Sequence, residues 1–258
     1  MHMWFGFYLT RPVFDEAQLR ELQRVINDRL PQWASRLRAT EDEDSPGGAL
    51  VSQDHGLYDC IYAIAPPKYG LGDVVLSGAY AGISFYVFHC ITTYPPVLNR
   101  MSIEVDELAT IEGQMTSDWA RGMFEAVTAQ LPVRYGFARL DEEYYAKNMI
   151  DDETGVRAIG ADITAAIPGL YWLNYLGAPY VNLIGRERLL TAPAYEVKPA
   201  GDGVLLALDS SPDAWQRAAY QQREQAVIAH LGEQFFFSRS DPERKTIAPD
   251  FRSDRACP

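Results

Sequence analysis

Pro168-Gly169-Leu170-Tyr171-Trp172-Leu173-Asn174-Tyr175-Leu176-Gly177-Ala178-Pro179-Tyr180-Val181-Asn182-Leu183-Ile184-Gly185 is the run whose reading decides the fold. Pro168-Gly169 is a turn signal. Leu170 to Leu176 is an aromatic-rich apolar run of the kind strands favour. It lacks clean alternation, which predicts a strand covered on both faces. Gly177 ends it. Ala178-Pro179 then starts a short helix, because proline at the first helical position gives up no needed hydrogen bond. Gly185 stands where a helix ends in a left-handed residue. Asn174 is the one polar side chain of the strand. Buried there, it needs hydrogen-bond partners, and its expected role is structural.

Downstream, residues 194–199 and 203–208 read as a hairpin about Gly201-Asp202-Gly203. The run Leu170–Gly177, then Tyr180-Val181 with Ile184-Gly185, then the glycine turn before Val204-Leu205-Leu206-Ala207-Leu208, resembles the immunity protein 52 family. A related group of type VI secretion immunity proteins carries a similar aromatic strand, glycine and helix. The match is clearest over residues 165–210 and looser back to about residue 80. The resemblance implies an antitoxin without catalytic machinery. It also implies a cognate partner, a toxin with a restriction-endonuclease-like nuclease domain, delivered between bacteria by type VI secretion.

The chain has 258 residues, 47% of them apolar and 22% charged, ordinary values for a soluble globular protein. No apolar run is long enough to span a membrane. Met1 to Leu9 has no preceding basic region and no cleavage site, so it reads as a first strand and not a signal peptide. Three cysteines (Cys60, Cys90, Cys257), an odd number without metal spacing, suit a reducing cytoplasm. The net charge is −12. Residues 39–54 hold five acids and no base, and residues 102–155 hold twelve acids and four bases, so these two segments account for all of it. A focused negative face repels nucleic acid and attracts a basic protein. Spread over solvated loops, the same charge serves solubility.

In chain order, residues 3–9 predict a strand. Phe14, Asp15 and Gln18 mark a helix start. Leu19, Leu22, Ile26, Leu30, Trp33 and Leu37 give one apolar helical face, interrupted at Pro31. Residues 39–56 predict a loop around Glu41-Asp42-Glu43-Asp44-Ser45-Pro46-Gly47-Gly48. Residues 57–65, 82–91 and 101–105 predict strands, with a turn at Tyr94-Pro95-Pro96. Residues 117–131 predict a helix capped by Thr116 or Ser117, and residues 133–140 a strand. Asp141 to Asn148 predicts a short helix, followed by Asp151-Asp152-Glu153 in a loop ending at Gly155. Ser211-Pro212-Asp213 opens a last long helix, with Tyr220, Val227 and Leu231 on one side and Trp215, Ala219 and Ala226 on the next, a largely buried element ended by Gly232. Phe235-Phe236-Phe237 packs back on the body. Residues 239–258 form an irregular tail.

Four histidines (His2, His55, His89, His230) form no zinc pattern. There is no phosphate-binding loop, dinucleotide fingerprint or nucleophile elbow, and no basic stripe with interleaved aromatics. No catalytic residue, metal or cofactor is therefore assigned, and neither nucleic acid nor a membrane is an expected partner. The expected partner is the nuclease-type toxin, met by a monomer or homodimer. The toxin-facing patch is assigned from charge to Asp141, Glu142, Glu143, Asp151, Asp152 and Glu153, with Tyr144 and Tyr145 as anchors. Two alternatives stand: a hydrolase using paired carboxylates, which requires a pocket and a perturbed acid, and a DNA-mimic inhibitor. The expected fold is α+β, mainly antiparallel sheet with packed helices, in a single compact domain over residues 1–238. Pseudo-halves at 1–110 and 111–238 are the variant of that arrangement.

Overall fold

In the computed structural model the described residues are 2–9, 16–29, 37–40, 49–50, 71–78, 83–90, 98–105, 116–153 and 155–251. The fold is α+β, mainly antiparallel sheet with helices packed on it, as expected. The chain divides into two compact units, Met1–Gly136 and Phe137–Pro258.

In the first unit, β1 (Met3–Leu9) pairs antiparallel with β6 (Asn99–Val105), with Phe5 opposite Ile103 and Phe7 opposite Met101. Alternation puts Met3, Phe5, Phe7 and Leu9 on one face and leaves Trp4 and Tyr8 half-buried on the other. Met101, Ile103 and Val105 extend that buried face. α2 (Ser117–Gln130) covers it. The ring of Phe124 lies 5.4 Å from Phe7, and Trp119 meets Phe5 edge-on at 6.5 Å. Thr116 caps α2 by accepting a 3.1 Å bond from the Trp119 amide. α1 (Glu16–Arg29) packs beside α2, burying Leu22 and Val25, and its Arg29 carbonyl accepts from Trp119 Nε1 at 3.1 Å. β5 (Ile83–Cys90), β4 (Leu71–Gly78), β2 (Leu37–Thr40) and β3 (Ala49–Leu50) extend the sheet beyond β6 in that order, each pair antiparallel.

Two expectations change here. Leu37 belongs to β2, not to a continued helix, because it pairs with Gly78. The segment expected as a loop over 39–56 contains strand at both ends of the acidic run, with Ala39 opposite Ala49. Residues 41–48 and 51–56 lie outside the described residues. So do the helix start at Phe14 and Asp15, Leu30, Pro31, Trp33, the strand at 57–65 with Cys60, and the turn at Tyr94.

β7 (Val133–Leu140) crosses from the first unit into the second. α3 (Asp141–Asn148) follows it directly and leads into a hairpin of β8 (Met149–Asp152) and β9 (Gly155–Ala158). The sequence expectation of a loop there is corrected: Asp151 pairs with Val156 and Asp152 with Gly155. Beyond it Leu170 to Leu176 is buried throughout, as expected for a strand covered on both faces, although regular pairing is confined to β10 (Leu173–Leu176). Asn174 explains the difference. Its Oδ1 accepts from the Tyr171 amide at 3.0 Å and its Nδ2 donates to the Tyr171 carbonyl at 2.7 Å, so a side chain takes over backbone bonds three residues upstream.

α4 (Ala178–Ile184) starts on Pro179 and stops at Gly185, whose φ is +98°. A further short helix, α5 (Arg186–Leu190), follows. β11 (Glu196–Ala200) and β12 (Gly203–Ala207) form the expected hairpin, and β12 pairs antiparallel with β10, all five of its residues buried. The last helix is not continuous from Ser211. Pro212–Gln216 is one 3₁₀ turn capped by Ser211, and α6 (Ala218–Leu231) begins after Arg217, which is extended. Tyr220, Val227 and Leu231 are buried, whereas Ala219 and Ala226 are exposed, so α6 has one buried face and not two. Gly232 ends it with φ +112°. Phe235 and Phe236 are buried, and the Phe237 amide bonds the Ile167 carbonyl. Residues 244–250 have no regular structure, and Phe251 packs edge-on against Tyr180.

Candidate functional site

Helical geometry divides the acidic run of α3. Side chains one residue apart diverge by about 100°, so neighbours in sequence point to different surroundings. Glu142 and Tyr145 face solvent, Tyr145 being 49% exposed. Glu143 points inward and is fully buried, so it belongs to the interior and not to a surface patch. Asp141 accepts a 3.1 Å bond from Arg139 Nη1. The Arg139 guanidinium lies 3.9 Å above the Tyr144 ring, which covers that tyrosine. Burial works against the charge on Arg139, while Tyr171, Asp141 and Tyr144 favour it. Asp151, Asp152 and Glu153 stand exposed at the far end of the hairpin, with Asp152 3.3 Å from Arg157. Of the eight residues assigned from sequence, the structure thus groups the three hairpin acids together, groups Asp141 and Tyr144 on Arg139, leaves Glu142 and Tyr145 outward on α3, and buries Glu143.

The inward side of α3 carries a polar cluster that charge counting did not reveal. Lys147 Nζ donates to Glu143 Oε1 at 2.8 Å, to Glu224 Oε1 at 2.8 Å and to the Leu170 carbonyl. Tyr220 donates its hydroxyl to Glu143 Oε1 at 2.8 Å. The rings of Tyr171 and Tyr220 lie 5.4 and 5.5 Å from the ammonium. Burial raises the proton affinity of Glu224, opposed by Lys147 and reinforced by the charge of Glu143. Burial, then Glu143, hold Tyr220 in its protonated, donating form. Asn148 extends the network: Nδ2 donates to the carbonyls of Ile159 and Pro168, and Oδ1 accepts from the Tyr171 hydroxyl at 2.6 Å. α3, the aromatic run and α6 are thereby joined. The Glu143–Lys147 pair was readable as an i, i+4 spacing, but Glu224 is 77 residues from Lys147 and only tertiary packing brings it in.

Two clefts, of about 440 and 660 Å³, share Ala146, Lys147, Glu224 and Gln225 on their walls. The first runs toward Phe236, Arg239 and Arg244, the second toward Trp215, Gln221 and Gln222. Of Glu143 and Glu224, only Glu224 lines them, its side chain 11% exposed, while Glu233 lines the first cleft as well. Lys147 has all three protons engaged, and Glu143 is closed to solvent. A pair of carboxylates that works on a substrate must reach it from both sides, and only one of these two does. Among the described residues no three His, Cys, Asp or Glu side chains are placed to hold a metal ion, and no helix is long and apolar enough to cross a membrane.

No family model matches the chain, and no curated protein matches it significantly. Among solved structures its fold is similar to that of Pseudomonas aeruginosa T6SS protein PA0821, with a TM-score of 0.54 and 14% sequence identity over 87% of this chain and 72% of that one. At that identity the likeness is one of fold.

Proposed function

We propose that the protein is an immunity factor of a type VI secretion system, which binds and neutralises a cognate secreted nuclease toxin. The observation that carries this reading is the exposed, acidic hairpin β8–β9 that follows α3 directly. On the hairpin Asp151, Asp152, Glu153 and Val156 are exposed, and on α3 so are Glu142 and Tyr145. A nuclease must present positive charge to the phosphate backbone. A negative surface with an aromatic anchor matches such a protein in charge and in contact chemistry. Two further facts support the reading. The aromatic run, Gly177, the segment after it and the Gly201 turn, on which the resemblance to the immunity protein 52 family rests, form a buried strand, a short helix and a hairpin, and the fold is similar to that of a T6SS protein.

Co-expression with the cognate nuclease-like toxin, sought among the neighbouring genes, tests it. The expected result is rescue of growth and a complex that co-purifies. Cells that die with the chain present at toxin-equivalent levels contradict the reading.

One observation favours a hydrolase instead: a carboxylate of raised proton affinity, Glu224, at the wall of two clefts. Against it stand the closed position of Glu143 and the full engagement of Lys147. Glu224→Gln separates the two, because it abolishes turnover by such an enzyme and leaves toxin neutralisation intact.

A further inference from the structure

The hairpin β8–β9 forms a two-stranded sheet of its own. Its register pairs Met149 with Ala158, Ile150 with Arg157, Asp151 with Val156 and Asp152 with Gly155. At the root, the Ile159 amide bonds the Asn148 carbonyl at 2.7 Å. In an antiparallel ladder, hydrogen-bonded and non-hydrogen-bonded pairs alternate. Since Asn148 and Ile159 are a bonded pair, so are Ile150 with Arg157 and Asp152 with Gly155. Arg157 therefore turns its backbone groups toward β8. Val156 and Ala158 turn theirs away, and neither meets a hydrogen-bond partner among the described residues.

All four residues of β9 are exposed, and Val156 is 53% exposed. Gly155, Val156 and Ala158 are small enough to let another backbone approach. β11, the outer strand on β12, is built differently. Its Pro199 has no amide to offer, and Glu196 and Lys198 sit 3.5 Å apart along it, devices that guard an edge against pairing. β9 has no proline, and its one charge, Arg157, is engaged by Asp152.

We infer that β9 is a strand-addition edge: an extended segment of a basic protein partner pairs with Val156 and Ala158, its cationic side chains drawn by Asp151, Asp152 and Glu153. The inference rests on the immunity reading, in which that partner is the toxin. Main-chain bonds supply affinity in such complexes, and flanking side chains supply selectivity. An isolated two-stranded hairpin is marginal in water, so a third strand also stabilises the element that receives it.

Residue-resolved amide exchange tests this on the full chain, alone and with a catalytically inactive form of the toxin domain that the rescue experiment identifies. The Arg157 amide, bonded within the hairpin, is expected to exchange more slowly in the free chain than those of Val156 and Ala158. The amides of Val156 and Ala158 are expected to exchange fast in the free chain and to slow at least tenfold in the complex. A complex that forms without slowing those two amides overturns the inference and leaves the immunity reading standing. Absence of any complex removes both. Protection of the same amides in the free chain, together with a dimer by sedimentation, makes a second copy the occupant and also overturns it. Val156→Pro removes one outward donor and none of the hairpin's own bonds, so the dissociation constant is expected to rise on the order of tenfold. Val156→Thr keeps the donor and is expected to bind as the unmodified chain does. Equal weakening by both variants assigns Val156 a side-chain role and rejects strand addition.

Discussion

Lys147 shows how one side chain fixes the state of its neighbours. Its ammonium is shared by Glu143 and Glu224, both withdrawn from water. A buried charge left without its partner is strongly destabilising, by about 3–5 kcal/mol. Lys147→Met leaves two such carboxylates, so urea unfolding at pH 7 should show a loss of at least about 3 kcal/mol. A loss under about 1 kcal/mol would mean the cluster is hydrated and weakly coupled. Glu224 gives the same cluster a pH signature. Burial raises its proton affinity in the folded chain, so the folded state binds that proton more tightly than the unfolded chain does. The stability this adds is complete below the ordinary glutamate value of 4.5 and is lost as pH rises through the raised folded value. Glu224→Gln has no such proton to lose. The stability difference between the two proteins should therefore shift toward the variant as pH rises above 4.5, read from urea midpoints across that range. A constant difference would mean that Glu224 titrates alike in both states.

At the scale of the element, β12 depends on a missing side chain. A Cβ on Gly203 would stand 2.5 Å from the Leu176 carbonyl oxygen and 2.6 Å from the Tyr175 ring, whose hydroxyl donates to Asp202 at 2.8 Å. Neither the backbone nor a ring held at both ends can give way. Gly203→Ala should therefore cost about 1–3 kcal/mol, with thermal unfolding as the measurement. Sequence reading placed this hairpin, and its turn glycines were the reason. It also placed the helices at 117–130 and 141–148 and the strand at 133–140, because each carries local signals: a threonine cap, a proline stop, an acidic first turn. It failed where pairing or a distant partner decided the outcome. Asp151, Asp152 and Gly155 look like a loop because acids and glycine disfavour strands, yet the ladder from Met149 to Ala158 holds them. Pro212 and the cap at Ser211 are genuine helix signals, but they start a 3₁₀ turn, and Arg217 resets the chain before α6. The candidate site was legible as charge and not as direction. Glu142 and Glu143 are equivalent in a count of acids, and only the helical phase sends one to solvent and the other to Lys147.

For the whole molecule, the distribution of charge decides more than its sum. Residues 39–54 and 102–155 hold the entire excess of acid over base, and within the second segment Glu143 is neutralised internally while Asp141 and Asp152 each have an arginine partner. Among the described residues of 141–155, Glu142, Asp151 and Glu153 are exposed and make no ion pair. Field from a cluster of that kind acts during approach, before any contact forms, and it is screened beyond about 8–10 Å at physiological ionic strength. In the proposed complex its effect falls on the association rate, whereas short-range contacts at Tyr145 and β9 would govern how long the complex lasts. Replacing Asp151, Asp152 and Glu153 together by lysine should therefore slow association with the toxin domain on the order of tenfold or more at low salt. It should also flatten the dependence of that rate on salt, and change the dissociation rate far less. Stopped-flow mixing across a salt series separates these quantities. A variant that associates as fast as the unmodified chain, with the same salt slope, would move the toxin-facing charge away from this hairpin.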